Sequence, residues 1–177
     1  MLAIALVPPV LGPACTSLPL PPGAQPSAAP TFSPQRFFEG DTEGTGVLRI
    51  VGHRRRPVHV RGSGRVKPDG LLVLSQSVEE GGKPPRQRRW TIRQVSPGKY
   101  AGTLSDAAGP VTGEVVGNLL HLRFRMAGGL AAEQRLYLQA DGRSAENRLV
   151  VRKLGITVAV LDETIRKVDG ADRPPTT

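Results

Sequence analysis

Cysteine is nearly missing from this sequence: the 177-residue chain has one, Cys15. A single thiol excludes an internal disulfide and leaves a free thiol, a link between chains or a site of modification. Aromatic residues are scarce at 4%, with one tryptophan, so a core must rest mainly on Leu, Val and Ile. Acidic residues are outnumbered, 15 Asp plus Glu against 24 Lys plus Arg, for a formal net charge of +9. Such a balance favours anionic partners: lipid headgroups, lipopolysaccharide phosphates or nucleic acid. Long apolar runs are also lacking. Leu2 to Val7, continued by Val10 and Leu11 past Pro8-Pro9, falls well short of the roughly 20 residues a spanning helix needs.

Reactive constellations are as sparse. His53, His59 and His121 show no metal-ligand spacing with Cys, Asp or Glu, and Arg54-Arg55-Arg56 beside His53 would repel a cation. His121 falls on the polar side of its segment and reads as a solvated histidine. Ser96-Pro97-Gly98-Lys99 spells a Ser-x-x-Lys motif, but Pro-Gly makes a turn where that motif needs a helix. Gly62-Ser63-Gly64 lacks the third glycine and the helix of a dinucleotide fingerprint and reads as a β-bulge. The acidic neighbours Glu79-Glu80 and Asp162-Glu163 would point to opposite faces of a strand, poor geometry for paired carboxylates. No catalytic residue, metal site or cofactor is expected, and the chain reads as a non-enzyme.

The N-terminus carries an address. Gly12-Pro13-Ala14 before Cys15, behind an apolar run, looks like a bacterial lipoprotein signal. In that pathway residues 1–14 form the signal peptide and Cys15 is acylated, placing the protein in the bacterial cell envelope, facing the periplasm, on the outer rather than the inner membrane. A plain secretory signal and a disordered tail with an incidental cysteine are the alternatives. Residues 15–35 are rich in Pro, Ala and Ser; proline removes backbone donors and favours extended chain, so a tether is expected here rather than core.

From residue 36 to 168 the pattern changes to short alternating runs broken by Gly, Pro, Asn and Asp. Gln87 to Val95 is representative: Trp90 and Ile92 fall on one side, Arg89, Thr91 and Arg93 on the other. Successive side chains of a strand point to opposite faces, so such a run is a half-buried strand. Leu119 to Met126 alternates most cleanly, with Leu120, Leu122, Phe124 and Met126 on one face and His121, Arg123 and Arg125 on the other. In Glu133 to Gln139, Leu136 and Leu138 fall on the apolar side, and Arg135, Tyr137 and Gln139 on the wet side. Pro68-Asp69-Gly70, Ser96-Pro97-Gly98, Gly117-Asn118 and Asp141-Gly142 read as turns. The aromatic pair Phe37-Phe38 is placed to plug one end of the core. Residues 156–168 fit a closing strand or one face of a helix, and residues 169–177 a disordered tail. Eight or nine sequential antiparallel strands, each with one face to bury and edges to hide, predict an all-β, up-and-down, lipocalin-like barrel, with a two-sheet sandwich as the alternative.

Phe37-Phe38-Glu39-Gly40, Gly44, Gly46, Arg89-Trp90, Asn147-Arg148 and Lys153-Leu154-Gly155 resemble the pattern of a family of uncharacterised bacterial lipoproteins, the DUF3833 family. The resemblance spans about residues 36 to 168. It implies no established reaction and brings no catalytic residues.

Two functions follow as expectations. A hollow barrel would bind a small apolar or amphipathic ligand, such as a lipid, with Trp90, Leu122, Phe124 and Leu136 as lining residues, or as ordinary core if it is solid. A solid barrel would be an interaction module, docking on anionic membrane or polymer through Arg54, Arg55, Arg56, Arg88, Arg123 and Arg125, which otherwise are a solvated face. Nucleic acid is disfavoured because the aromatics that would stack bases read as buried.

Overall fold

The computed structural model describes residues 19–168. The expected signal peptide 1–14, Cys15 and the tail 169–177 lie outside the described residues. A short helix, α1 (Pro34–Phe38), is followed by ten strands: β1 (Gly40–Ile50), β2 (Arg56–Val66), β3 (Leu72–Glu80), β4 (Arg86–Ser96), β5 (Lys99–Leu104), β6 (Val111–Val116), β7 (Leu119–Met126), β8 (Leu130–Leu138), β9 (Ser144–Lys153) and β10 (Ile156–Val168).

Each strand pairs antiparallel with the next, and β10 returns to pair with β1, so the sheet closes into an up-and-down barrel. Closure leaves no unpaired edge, which disposes of the aggregation hazard of so many short strands. The barrel class is as expected, with ten strands instead of eight or nine. The ambiguous segment 156–168 is a strand over its whole described length. Its helical periodicity is outweighed by β-branched residues and by ladders on both sides.

The glycines of β2 correct the sequence reading. Gly62 and Gly64 keep continuous register with both β1 and β3, so there is no bulge. They are glycine because the inner face is crowded there. A Cβ on Gly64 would stand 1.8 Å from the Phe38 carbonyl oxygen, and one on Gly62 would stand 2.5 Å from Thr42 Oγ1.

One end of the barrel is plugged. Phe37 and Phe38 of α1 pack with Phe32, whose ring centroid lies 5.3 Å from that of Phe37, and all three are buried. Ser33 caps the helix, and Lys167 Nζ donates to the carbonyls of Arg36, Phe37 and Glu39 at its other end. The described part of the expected tether is thus bound to the barrel. Asn118 donates to the Gln25 carbonyl and accepts from Ser27 N, Phe32 N donates to the Gly117 carbonyl, and Arg148 donates to the Pro19 carbonyl. Proline removes N–H donors, but the carbonyls of such a segment still accept bonds from a neighbouring wall. Tyr137, expected to be wet, points outward but is buried. Its cross-strand neighbour Glu146 lies under Gly23 of this segment.

A polar chamber between two apolar clusters

The interior is divided. The larger apolar cluster fills the plugged half and includes Phe38, Leu72, Leu74, Trp90, Phe124, Leu120, Leu136 and Ile165. A smaller aliphatic cluster of Val58, Val60 and Val78, with Leu48 and Leu161 against it, sits towards the other end. Between them the walls turn polar. Gln76, Arg88, Gln134, Asn147 and Glu163 all line a cavity of about 60 Å³, together with Trp90, Leu122, Leu136, Leu161 and the three valines.

Strand parity puts these groups inside. Glu163 and Asp162 are consecutive on β10, so one enters the barrel and the other meets the outer wall. Asp162 is held outside by Arg49 and Arg148. Glu163 is 7% exposed inside, where Asn147 Nδ2 donates to its Oε2 at 2.8 Å. Burial pushes the Glu163 carboxyl above its ordinary range, with the Asn147 hydrogen bond and the Arg88 charge opposing. Its Oε1 and Asn147 Oδ1 are buried without a hydrogen-bond partner among the described residues. The inner face of β1 makes the room: a Cβ on Gly44 would lie 2.0 Å from Glu163 Oε1.

Arg88 corrects the sequence reading most sharply. It was expected on the wet, docking face, but it shares the parity of Trp90 and Ile92 and enters the barrel. Its guanidinium stands 5.8 Å from the centroid of Trp90, and its Nε pairs with Asp106 at 2.9 Å. Burial lowers its basicity, and Asp106 opposes that shift. Trp90 Nε1 donates to Gln76 Oε1 at 2.8 Å.

Of the four expected lining residues, Trp90, Leu122 and Leu136 border the chamber. Phe124 does not. It is buried edge-on to Trp90, with centroids 5.4 Å apart, and supports the indole without bordering the cavity. The other expected docking arginines do not form one patch. Arg54, Arg55 and Arg56 lie between β1 and β2 or at the start of β2, with Arg56 paired to Glu80, while Arg123 and Arg125 lie on β7. β2 and β7 are five strands apart in either direction around the barrel. Arg123 and Arg125 flank an outer hollow of about 450 Å³ shared with Ala108, Pro110, Glu133 and Arg152.

His121, expected to be solvated, is 8% exposed on the outer wall and lies 2.7 Å from Glu133. Burial and Arg123 lower its pKa, with Glu133 opposing. Burial alone would raise Glu133, but Arg152 and Arg135 outweigh it and hold the carboxyl below its ordinary range.

Sequence reasoning missed Glu163, Asn147, Gln76 and Gln134 because polar letters in alternating runs were assigned to solvent. The available signal was register. In β10 the apolar positions Leu161 and Ile165 bracket Glu163, and in β9 Ala145 and Leu149 bracket Asn147.

Among solved structures the chain is similar to an S-type phycobiliprotein lyase, CPES, from Guillardia theta, at 10% identity and a TM-score of 0.62, covering 78% of this chain and 94% of that one. It is also similar to a protein of unknown function from the DUF3598 family of Nostoc punctiforme, at 13% identity and a TM-score of 0.59, covering 82% of this chain and 53% of that one. At these identities the likeness shows the fold. No curated protein matches the sequence. The model of the DUF3833 family, described as a protein of unknown function, matches residues 14–167, almost the whole of the barrel and its N-terminal segment, and the chain belongs to that family.

Proposed function

We propose that this barrel is a binding protein that holds the hydroxyl or carboxyl end of a small amphipathic molecule in its chamber. The observation that carries the reading is the pair of buried acceptor atoms without a hydrogen-bond partner among the described residues, Glu163 Oε1 and Asn147 Oδ1, which line the cavity beside Gln76, Arg88, Gln134 and an aliphatic ring. A buried polar atom left unmatched is costly, and a ligand group that bonds to it recovers that cost. A carboxyl kept towards its neutral form can both donate and accept, and Arg88 supplies a cation nearby. The aliphatic ring of Val58, Val60, Val78 and Leu161 then suits an alkyl portion.

Size narrows the ligand. About 60 Å³ holds roughly four water-sized groups. Pockets for whole drug-sized molecules start at about 300 Å³. The chamber therefore suits one end of a molecule, with the rest lying among the aliphatic side chains towards the mouth. The lining contains no serine, cysteine, histidine or lysine among the described residues, which supports binding over covalent chemistry. One protein of the same fold is named a lyase, and the fold alone does not decide between the two roles.

The small volume favours one alternative, a solid module that acts through its surface. Titration separates the two. Trp90 is the sole tryptophan and borders the chamber, so its emission reports occupancy. Straight-chain alcohols and carboxylic acids, from butyl to dodecyl, are added to the protein. A saturable emission change that is lost in Val60→Phe supports the chamber. No change at any chain length, or a change that Val60→Phe leaves intact, returns the protein to the solid-module reading. An envelope location through an acyl group on Cys15 belongs to the same proposal, and its check is the intact mass of protein from its native cells against Cys15→Ser.

A further inference from the structure

The end of the barrel opposite α1 carries exposed apolar side chains of a kind a soluble rim would not need. Leu154 and Gly155 form the two-residue turn between β9 and β10, both with positive φ, 49° and 81°. Such a turn favours Asn-Gly, because L-residues with a larger side chain are strained there. Leucine occupies the first position nonetheless, and its side chain is 92% exposed. Ile156, the next residue after the turn, is 70% exposed. Val51 at the end of β1 is 71% exposed, and its N–H bonds to the Val158 carbonyl of neighbouring β10. The three thus lie at the same end of the adjacent strands β1, β10 and β9, on one sector of the rim.

Cations outnumber acids on this sector. Residues 47–58 and 150–161 contain six Lys and Arg and no Asp or Glu, and of these Arg49, Arg56 and Arg152 pair with Asp162, Glu80 and Glu133 lower on the wall. Arg54, Arg55 and Lys153 are exposed beside the apolar tips. Apolar tips ringed by cations match a lipid surface with anionic headgroups: the tips enter the acyl boundary and the cations stay at the phosphates. The N-terminal segment runs in the same direction. Gly23 lies beside Glu146 and Pro19 beside Arg148, so the chain ascends β9 towards this rim when followed back from Gly23 to Pro19.

We infer that the Val51–Leu154–Ile156 sector of the rim docks on an anionic phospholipid bilayer, with the mouth of the barrel facing the membrane. This rests on the chamber reading for one further step only: the amphipathic molecule is then exchanged with the bilayer itself. Docking stands on the rim alone.

The test uses the full chain carrying Cys15→Ser, so that no acyl group contributes. Vesicles of phosphatidylglycerol and phosphatidylethanolamine are compared with vesicles of phosphatidylcholine by flotation. Binding to the anionic vesicles alone is expected. Leu154→Gly suits the turn better than leucine and should fold at least as well. It should weaken binding about tenfold, the order expected for losing one inserted leucine. Arg54→Glu with Arg55→Glu should weaken it roughly twentyfold or more. A fluorophore on Leu154→Cys, which is then the sole thiol, should shift to the blue on binding. Equal binding by Leu154→Gly, equal binding to phosphatidylcholine, or an unshifted fluorophore would overturn the inference. Val60→Phe separates the two readings. It should dock as well as the parent while losing the Trp90 response to alkyl probes, so loss of docking and loss of the chamber register in different experiments.

Discussion

Asn147 and Glu163 are hydrogen-bonded across the β9–β10 ladder at 2.8 Å, and each keeps one further oxygen buried and unmatched. Their partnership makes the carboxyl dependent on the amide. Asn147→Leu keeps much of the volume but removes the donor, leaving Glu163 Oε2 unsatisfied as well. A cost of about 1–3 kcal/mol is expected, read by chemical denaturation at neutral pH.

The same carboxyl sets a pH dependence. Burial raises its pKa in the folded state. A raised folded pKa means the folded protein holds the proton more tightly than the unfolded chain. The contribution of Glu163 is therefore fully present below the ordinary glutamate range and is lost as pH rises through the folded value. Glu163→Gln cannot ionise. Relative to wild type it should gain stability as pH is raised from about 4 towards neutrality, seen as a growing difference in Tm. A difference that does not change with pH would mean that this carboxyl titrates as it does in the unfolded chain.

Glycines on the inner face of β1 and β2 should differ in their tolerance. At Gly64 the obstacle is the Phe38 backbone carbonyl, fixed by α1, and at Gly44 it is the end of the Glu163 side chain. A backbone obstacle cannot turn away, whereas a carboxylate can rotate. Gly64→Ala should cost about 1–3 kcal/mol or more. Gly44→Ala should cost less, and should perturb the Trp90 response to alkyl probes in proportion to the movement of Glu163.

Legibility in the sequence followed from what two-residue periodicity encodes. Leu120, Leu122 and Phe124 alternate with His121, Arg123 and Arg125, and the leucines and the phenylalanine are buried as that pattern requires. Periodicity names two faces but not which polar residues the dry face tolerates. Arg88 is in phase with Trp90 and Ile92, yet its charge outweighed its phase in the reading of the sequence. Glu163 is legible only once Gly44 is known to lie across from Ile165 and to leave space at the wall. The N-terminal segment was hidden for another reason. Its bonds to Asn118 and Arg148 join residues about a hundred positions apart, and proline content reports only the lack of local structure.

Asp162 occupies the outer wall with Arg49 and Arg148, and its side chain is 11% exposed. Burial alone would raise its pKa, but hydrogen bonds from Arg148 and Arg49 outweigh that and lower it. A lowered folded pKa contributes stability that is present above the ordinary aspartate range and lost as pH falls through the folded value. Asp162→Asn should leave two guanidinium groups facing an amide and cost roughly 1–3 kcal/mol at neutral pH. The deficit against wild type should shrink in acid and grow towards neutrality, where Glu163→Gln instead gains on wild type, so paired melts across pH assign each sign to its own carboxyl.

Phe32 lies before α1, inside the region expected to be a tether, yet it is 2% exposed and packs at a tilt against Phe37 and Phe38 at the plugged end. If this segment is part of the domain, Phe32→Ala should cost about 3–5 kcal/mol, the usual range for removing a buried ring. Pro26→Ala, at an exposed position in the same segment, should change stability by no more than about 0.5 kcal/mol. Denaturant unfolding of the two variants checks this. A Phe32→Ala protein as stable as wild type would detach residues 19–33 from the fold and leave α1 as the only plug.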